Sequence, residues 1–145
     1  MKAPAIQDPH VQAVFDGYDA RERKTLLTLR TMVFEAAQAV PGVGGLEETL
    51  KWGQLSYLPK KPRVGTTVRI DRSSRPNGAA AVFFHCQTRL LDTFRERYPD
   101  SFTYVGNRSI ELDGDWREQK AELQHCLGLA LSYHIWKSGP APLVD

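Results

Sequence analysis

The sequence predicts an α+β domain in which N-terminal and C-terminal helices pack on a mainly antiparallel sheet. Two observations support this class. Apolar residues recur at helical spacing in the first 40 residues and again after residue 115, whereas the middle of the chain contains short apolar runs. Turn residues separate those runs. Helices first, then clustered short strands, then a helix indicate a sheet with helices on one face.

Two helices are expected before residue 43. Asp8 and Pro9 predict the start of a short helix that ends near Gly17, because aspartate caps helices and proline suits their first turn. Asp19 is predicted to cap a longer helix, which a Pro-Gly pair at 41–42 ends. The expected core residues of this second helix lie at helical spacing: Leu26, Leu29, Val33, Ala36, Ala37 and Val40.

The stretch LEETLKWGQLSYLP, residues 46–59, combines two kinds of pattern. Two glutamates ahead of an apolar residue are typical of a helix start, and the second half of the stretch is typical of a strand. Trp52 beside Gly53 is therefore predicted to mark a helix-to-strand corner. In the favoured interpretation Trp52 anchors the core and Gly53 adopts a backbone angle that other residues resist. In the alternative, Trp52 and Tyr57 form the wall of a ligand pocket.

The middle of the chain is expected to supply the sheet. Residues 79–86, AAAVFFHC, are apolar almost throughout, which predicts a central strand. Gly106-Asn107 is predicted to be a two-residue hairpin turn. The other expected strands are 55–58, 64–70, 102–105 and 108–112, with a turn at 73–78 and a short helix at 88–98.

A last helix is predicted after residue 115. Asp115 and Glu118 have the spacing of a capping box, in which two side chains satisfy backbone N–H groups at a helix start. Gly139, Pro140 and Pro142 then predict a loose C-terminal tail. We expect one domain over residues 1–145, with its core at about 10–137. The expected core stripe of the helix is Trp116, Leu123, Leu127, Ala130, Leu131 and Ile135.

Composition excludes several classes of function. The chain has 145 residues, 41% hydrophobic and 25% charged, which suits one domain with a real core. The net charge is only +2, and no aromatic residue interleaves with the basic residues of 60–75, so nucleic acid is not an expected partner. With no long apolar run and no apolar N-terminal stretch, we expect no membrane partner and a cytoplasmic location. The two cysteines are then expected to be reduced.

Arg108 is the candidate for anion binding. It shares strand parity with Ile110 and Leu112, which predicts that it points toward the apolar side of the sheet. A buried arginine needs an anionic or hydrogen-bonding partner. We favour an internal partner among Glu47, Glu48 and Glu111; the alternative is the carboxylate or phosphate of a small anionic ligand. The predicted binding cleft then lies near Trp52, Tyr57 and Arg108.

Histidine and cysteine residues suggest a second kind of site. Two His-Cys pairs, His85-Cys86 and His125-Cys126, together with His134, contain good ligands for iron or zinc. Neighbouring side chains diverge on a strand or a helix, so at most one residue of each pair could serve. No cofactor is predicted outright.

A thiol enzyme is the least favoured hypothesis. It would use Cys86 as nucleophile with His125 or His134 as its base. The sequence has neither a GxSxG motif nor a phosphate-binding glycine loop, so no catalytic residue is assigned.

The segments EETLKWG, GTTVRI, VFFHCQTRLLDTFRERYPD, YVGNRSIEL and LQHCLGLALSYH, in this order, resemble the YdhG-like family, a domain family of unknown function. The resemblance covers about residues 10–137. It implies a frataxin-like arrangement of helices on a sheet and relatives described as iron chaperones, but no established active site. This chain departs from the family at Leu55, where many members have a proline. Acidic residues near the first long helix, Asp16, Asp19 and Glu22, are too sparse for a dense ridge of iron ligands.

The sequence therefore predicts a non-enzymatic YdhG-like domain that binds a small anionic ligand or a protein partner. An iron- or zinc-handling protein is the alternative.

Overall fold

Six short strands form one sheet in the computed structural model, which describes residues 3–144. The strands are β1 (Leu46–Lys51), β2 (Gln54–Pro59), β3 (Val68–Asp71), β4 (Ala80–Phe83), β5 (Thr103–Val105) and β6 (Ser109–Leu112). Their order across the sheet is β1-β2-β3-β4-β6-β5, and all neighbours are antiparallel. The helices are α1 (Pro9–Gly17), α2 (Ala20–Ala39), α3 (Leu90–Arg97), α4 (Lys120–Leu131) and α5 (Tyr133–Trp136). The predicted α+β class is confirmed.

The core lies between the sheet and two long helices. α2 and α4 contact each other, and both contact β3. Leu55, Ile70, Val82 and Ile110 lie opposite one another across four neighbouring strands, and all four are fully buried. An antiparallel sheet with one covered face needs such a row of apolar residues, because alternate side chains point to opposite faces.

The two N-terminal helices begin and end where the sequence predicts. The Asp8 carboxylate accepts a hydrogen bond from the backbone N–H of His10 over 2.8 Å. Asp19 and Glu22 form a capping box, in which each carboxylate accepts from the backbone N–H of the other residue over 2.8 and 3.3 Å. α1 ends at Gly17, and α2 ends just before the Pro-Gly pair.

The helix expected at the start of residues 46–59 is a strand, and the expected corner is a β-hairpin turn. β1 pairs with β2 along its whole length. Trp52 and Gly53 are the two turn residues, with φ of 55° and 75°, as a type I′ hairpin turn requires. The pattern of residues 46–50 predicted a helix wrongly, because Glu48 stands between Leu46 and Leu50 where a strand with one buried face would have a third apolar residue. Its register nevertheless places it on the same core-facing side of β1.

The strand expected at 64–70 begins only at Val68, because the residues before it run along the end of α4. The N–H and the hydroxyl of Thr66 both donate to the carbonyl of Ala130, each over 3.0 Å. A Cβ built on Gly65 would lie 1.9 Å from the carbonyl oxygen of Leu131. The chain therefore fits here only with glycine.

Three other details of the strands and turns differ from expectation. β4 ends at Phe83, so His85 and Cys86 lie in the following loop. The β5–β6 turn contains three residues, Gly106–Arg108, because Val105 pairs directly with Ser109. The other predicted strands and the short helix α3 are present with shifted ends.

The last helix begins differently from the predicted capping box. A 3₁₀ turn at Trp116–Gln119 precedes α4, and no side-chain hydrogen bond caps it. A break at Ser132 separates α4 from α5. Ile135 is consequently 55% exposed, which makes its assignment to the core wrong. The other five residues of the predicted stripe are buried.

The residues after α5 form neither helix nor strand, but they lie against the domain. The guanidinium of Arg89 donates to the carbonyl of Gly139, and that of Arg97 donates to the carbonyl of Ala141 over 2.5 Å. Ala141 is 7% exposed. None of the helices within residues 3–144 is long and apolar enough to cross a membrane.

Candidate functional site

Trp52 and Arg108 lie in turns at opposite edges of the sheet. Trp52, in the β1–β2 turn, is 91% exposed. Arg108, the last residue of the β5–β6 turn, is also exposed. The expectations of a core tryptophan and an inward arginine are both wrong. Strand parity does not apply to Arg108, because β6 begins one residue later, at Ser109.

Tyr57 belongs to a buried network that joins α2 to the first hairpin. Its hydroxyl donates to the Glu48 carboxylate over 2.8 Å, and the guanidinium of Arg30 donates to the same carboxylate over 2.5 and 3.0 Å. Tyr57 is fully buried and Arg30 is 5% exposed. Burial, and secondarily Glu48, raise the pKa of Tyr57 well above its ordinary value.

None of the expected partners forms a salt bridge with Arg108 among residues 3–144. Glu48 pairs with Arg30, Glu111 accepts a hydrogen bond from the Ser73 hydroxyl over 2.7 Å, and Glu47 is exposed. The structure therefore does not bring Trp52, Tyr57 and Arg108 together into one cleft.

The five histidines and cysteines considered as metal ligands are divided between two places. His85, Cys86 and His134 are exposed, with His134 at the start of α5. Partial burial, Lys137 and then His85 lower the pKa of His134. Within the part of the chain that the structure describes, no three His, Cys, Asp or Glu side chains are close enough to hold a metal ion.

His125 and Cys126 have structural surroundings in α4. His125 is half-buried, with Nδ1 2.6 Å from the Tyr98 hydroxyl and Nε2 2.8 Å from the carbonyl of Pro142. Cys126 is fully buried, and this burial raises the pKa of its thiol. Neither arrangement supplies a base to Cys86, which forms no hydrogen bond through its thiol to any histidine among residues 3–144.

A polar cavity that sequence analysis did not identify lies where the start of α2 meets the β3–β4 loop and the 3₁₀ turn before α4. Its volume is about 500 Å³. The cations Arg21 and Lys24 line it from the first turns of α2, and Arg117 lines it from the 3₁₀ turn. Asn77 and Gly78 form the side that belongs to the loop.

The charges around this cavity do not cancel. Arg21, Lys24 and Arg117 are exposed, and none of them forms a salt bridge with a residue of 3–144. The carboxylates of Asp19 and Glu22 also line the cavity, but both accept backbone hydrogen bonds within the capping box. Three cations against two engaged carboxylates leave the cavity positive, and the N-terminus of α2 adds a partial positive charge.

Trp116 also lines this cavity. It is 2% exposed, and its Nε1–H has no hydrogen-bond partner within the described chain. The guanidinium of Arg117 lies over the indole ring, 4.7 Å from its centre. A buried N–H without an acceptor costs about 1–3 kcal/mol.

Part of this site was visible in the sequence. The segment ARERK at the start of α2 is basic, and Arg117 follows the predicted core residue Trp116. Only the fold brings these two distant segments to one cavity. Comparison with protein-family models, curated proteins and solved structures gives no match for this chain.

Proposed function

We propose that the protein is a non-enzymatic binding domain of the YdhG-like family, which holds a small anionic ligand in the polar cavity at the start of α2. Membership of the YdhG-like family, with its frataxin-like arrangement of helices on a sheet, is part of what we propose. They rest on the resemblance of segments such as EETLKWG and on the α+β fold.

The observation that carries the proposal is the convergence of three cations without carboxylate partners. Arg21 and Lys24 lie on one side of the cavity and Arg117 on the other. A carboxylate or phosphate between them would form charge-assisted hydrogen bonds, which are stronger than bonds between neutral groups. The cavity volume of about 500 Å³ lies in the range of small-molecule sites.

Indole NMR resonances test this proposal directly. The chain has three tryptophans, and only Trp116 lines the cavity. Titration with pyrophosphate should shift the Trp116 Nε1–H resonance saturably and leave those of Trp52 and Trp136 in place. Single Trp-to-Phe variants assign the three signals.

Two variants that each remove one positive charge, one inside and one outside the cavity, allow a matched comparison of pyrophosphate binding. Arg117→Gln should weaken pyrophosphate binding about tenfold or more, because a hydrogen bond to a charged group contributes roughly 1.5–3 kcal/mol. Lys61→Gln makes the same change of charge at an exposed position outside the cavity and should have little effect. Equal weakening by both variants, or no saturable shift of Trp116, would overturn the proposal.

The metal-chaperone hypothesis rests on the resemblance and on the metal-ligating character of the histidines and cysteines, which the described residues do not bring together in a group of three. Titration of the untagged protein with iron(II) and zinc under reducing, oxygen-free conditions tests it. Stoichiometric binding that is lost in His85→Ala or His134→Ala would replace the anion-binding proposal. Weak, non-saturable uptake would leave the anion site as the better candidate.

A further inference from the structure

A second cavity, apolar in character, lies on the opposite end of α2 from the anion site. It has a volume of about 400 Å³ and lies between the end of α2, the middle of α4 and the C-terminal tail. Small residues of the two helices line it: Ala36 and Gly128 are buried, and Ala121 is exposed. Ala36 is 2% exposed, as expected for the base of a cleft rather than for a flat face.

The polar groups that line this cavity are already paired inside the protein. The Gln124 amide nitrogen donates to the carbonyl of Met32 over 2.9 Å, and the Ser132 hydroxyl donates to that of Gly128 over 2.7 Å. Both ring nitrogens of His125 are engaged as well. Each of these three polar side chains already has a partner inside the protein, and an apolar molecule could enter without breaking a hydrogen bond.

Two exposed large apolar side chains line this cavity, and a third lies near it. Leu143 and Val144, which line it from the tail, are 76% and 61% exposed. Ile135 is 55% exposed and approaches Gly42, next to the lining residue Pro41. Large apolar residues gathered around a cleft are typical of binding sites.

The tail is fixed just before these two residues. Nε2 of His125 contacts the carbonyl of Pro142 over 2.8 Å, and Arg97 donates to the carbonyl of Ala141. Leu143 and Val144 are therefore held at the mouth of the cavity while their own side chains still face solvent. A ligand there would bury both side chains.

We propose that this cleft is a second binding site, which takes a small, uncharged aliphatic molecule under the side chains of Leu143 and Val144. A small molecule fits better than a flat protein surface, because the cleft has the volume of a small-molecule pocket and reaches the buried residues Ala36 and Gly128. The site is independent of the anion site in both position and chemistry.

The neutral fluorophore N-phenyl-1-naphthylamine is a suitable probe, because its emission rises in apolar surroundings. We expect a saturable rise with the native protein, reversed by 1-decanol and unaffected by pyrophosphate. Reversal by pyrophosphate would show that the probe occupies the anion site and would overturn the assignment to this cleft.

Ala121→Phe should abolish the signal, because it fills the cleft from an exposed position on α4. Ala13→Phe, on the exposed face of α1, is the matched control and should retain the signal. A second variant, Leu143→Ser, leaves the helices untouched and should weaken probe binding about tenfold through lost apolar contact.

Two results would overturn the inference. One is equal probe binding by Ala121→Phe and Ala13→Phe. The other is a concentration-dependent dimer in sedimentation that Leu143→Ser abolishes, because a second copy of the chain would then be the occupant of the cleft.

Discussion

Glu48 is the residue through which the longest helix is joined to the sheet. Its carboxylate accepts hydrogen bonds from Arg30 in α2 and from Tyr57 in β2. The ring of Phe34 packs against both of these partners, 4.9 Å from the Arg30 guanidinium carbon and 5.7 Å from the Tyr57 ring. A buried guanidinium is tolerated only because the carboxylate neutralises it.

Replacing Glu48 with alanine should therefore lower the free energy of unfolding by about 3–5 kcal/mol, because Arg30 would remain buried without a counterion. Guanidinium chloride unfolding measures this change. Glu47→Ala is the matched control on the same strand, where the side chain is exposed, and should change stability by less than about 0.5 kcal/mol. Similar losses in both variants would show that the network contributes little.

Trp52 has an unfavourable backbone conformation that burial of its side chain does not offset. Its φ of 55° is unfavourable for a side chain that offers no local hydrogen bond, and at 91% exposure it gains little from burial. Trp52→Asn should raise the free energy of unfolding by roughly 0.5–1 kcal/mol, because Asn-Gly is the preferred pair in type I′ turns. Thermal unfolding followed by circular dichroism checks the direction.

Gly53→Ala is the paired substitution in the same turn. At φ of 75° a Cβ costs about 1–2 kcal/mol, so this variant should melt lower than the native protein. A collapse of the fold in Trp52→Asn would instead restore Trp52 as an anchor of the structure.

At the scale of elements, the passage of residues 64–66 beside α4 joins the C-terminal helix to the sheet. The segment forms two hydrogen bonds from Thr66 to Ala130. The close approach also explains why the strand begins only at Val68. The backbone groups of the preceding residues are used by the helix end rather than by β2 or β4.

Gly65→Ala should lower the free energy of unfolding by about 3 kcal/mol or more, because the new methyl group would meet the Leu131 backbone rather than a flexible side chain. Urea unfolding gives the value. Gly17→Ala is the matched control, since a Cβ there has no heavy atom within 4 Å of it. That variant should be close to neutral, and a Gly65→Ala protein of native stability would contradict the predicted contact.

At the scale of the whole molecule, His125 connects global stability to pH. Burial lowers the pKa of His125 below the ordinary value of 6.5. The unfolded chain therefore binds a proton before the folded chain does as pH falls. The stability that neutral His125 contributes is complete above pH 6.5 and is lost as pH falls from there through the lower folded-state pKa.

Unfolding free energies measured at pH 8 and pH 5 should consequently differ less in His125→Gln than in the native protein. His10→Gln, at an exposed position of α1, is the control and should keep the native difference. Carboxylates titrate in all three proteins, so the comparison isolates the histidine. An unchanged difference in His125→Gln would show that the imidazole is not linked to folding.

The sequence by itself determined the fold class and the starts of the two N-terminal helices, because the signals for them are local. Asp8 and Asp19 act on neighbouring backbone groups, so the first residues of α1 and α2 could be placed, and the Pro-Gly pair placed the end of α2 to within two residues. The apolar runs also identified β4 as a central strand. These signals act over a few residues, and a contact with a distant segment would have to overcome their free energy to change the local structure.

The tertiary structure alone decided the identity of β1 and the place of the candidate site. The strand register turns Glu48 toward the core, and its carboxylate can be buried there because Arg30, from a different element, pairs with it. Likewise Arg21 and Arg117 become one positive cavity only when α4 folds back beside α2. Burial and pairing of charges depend on contacts between segments far apart in the chain, and periodicity along one segment carries no information about them.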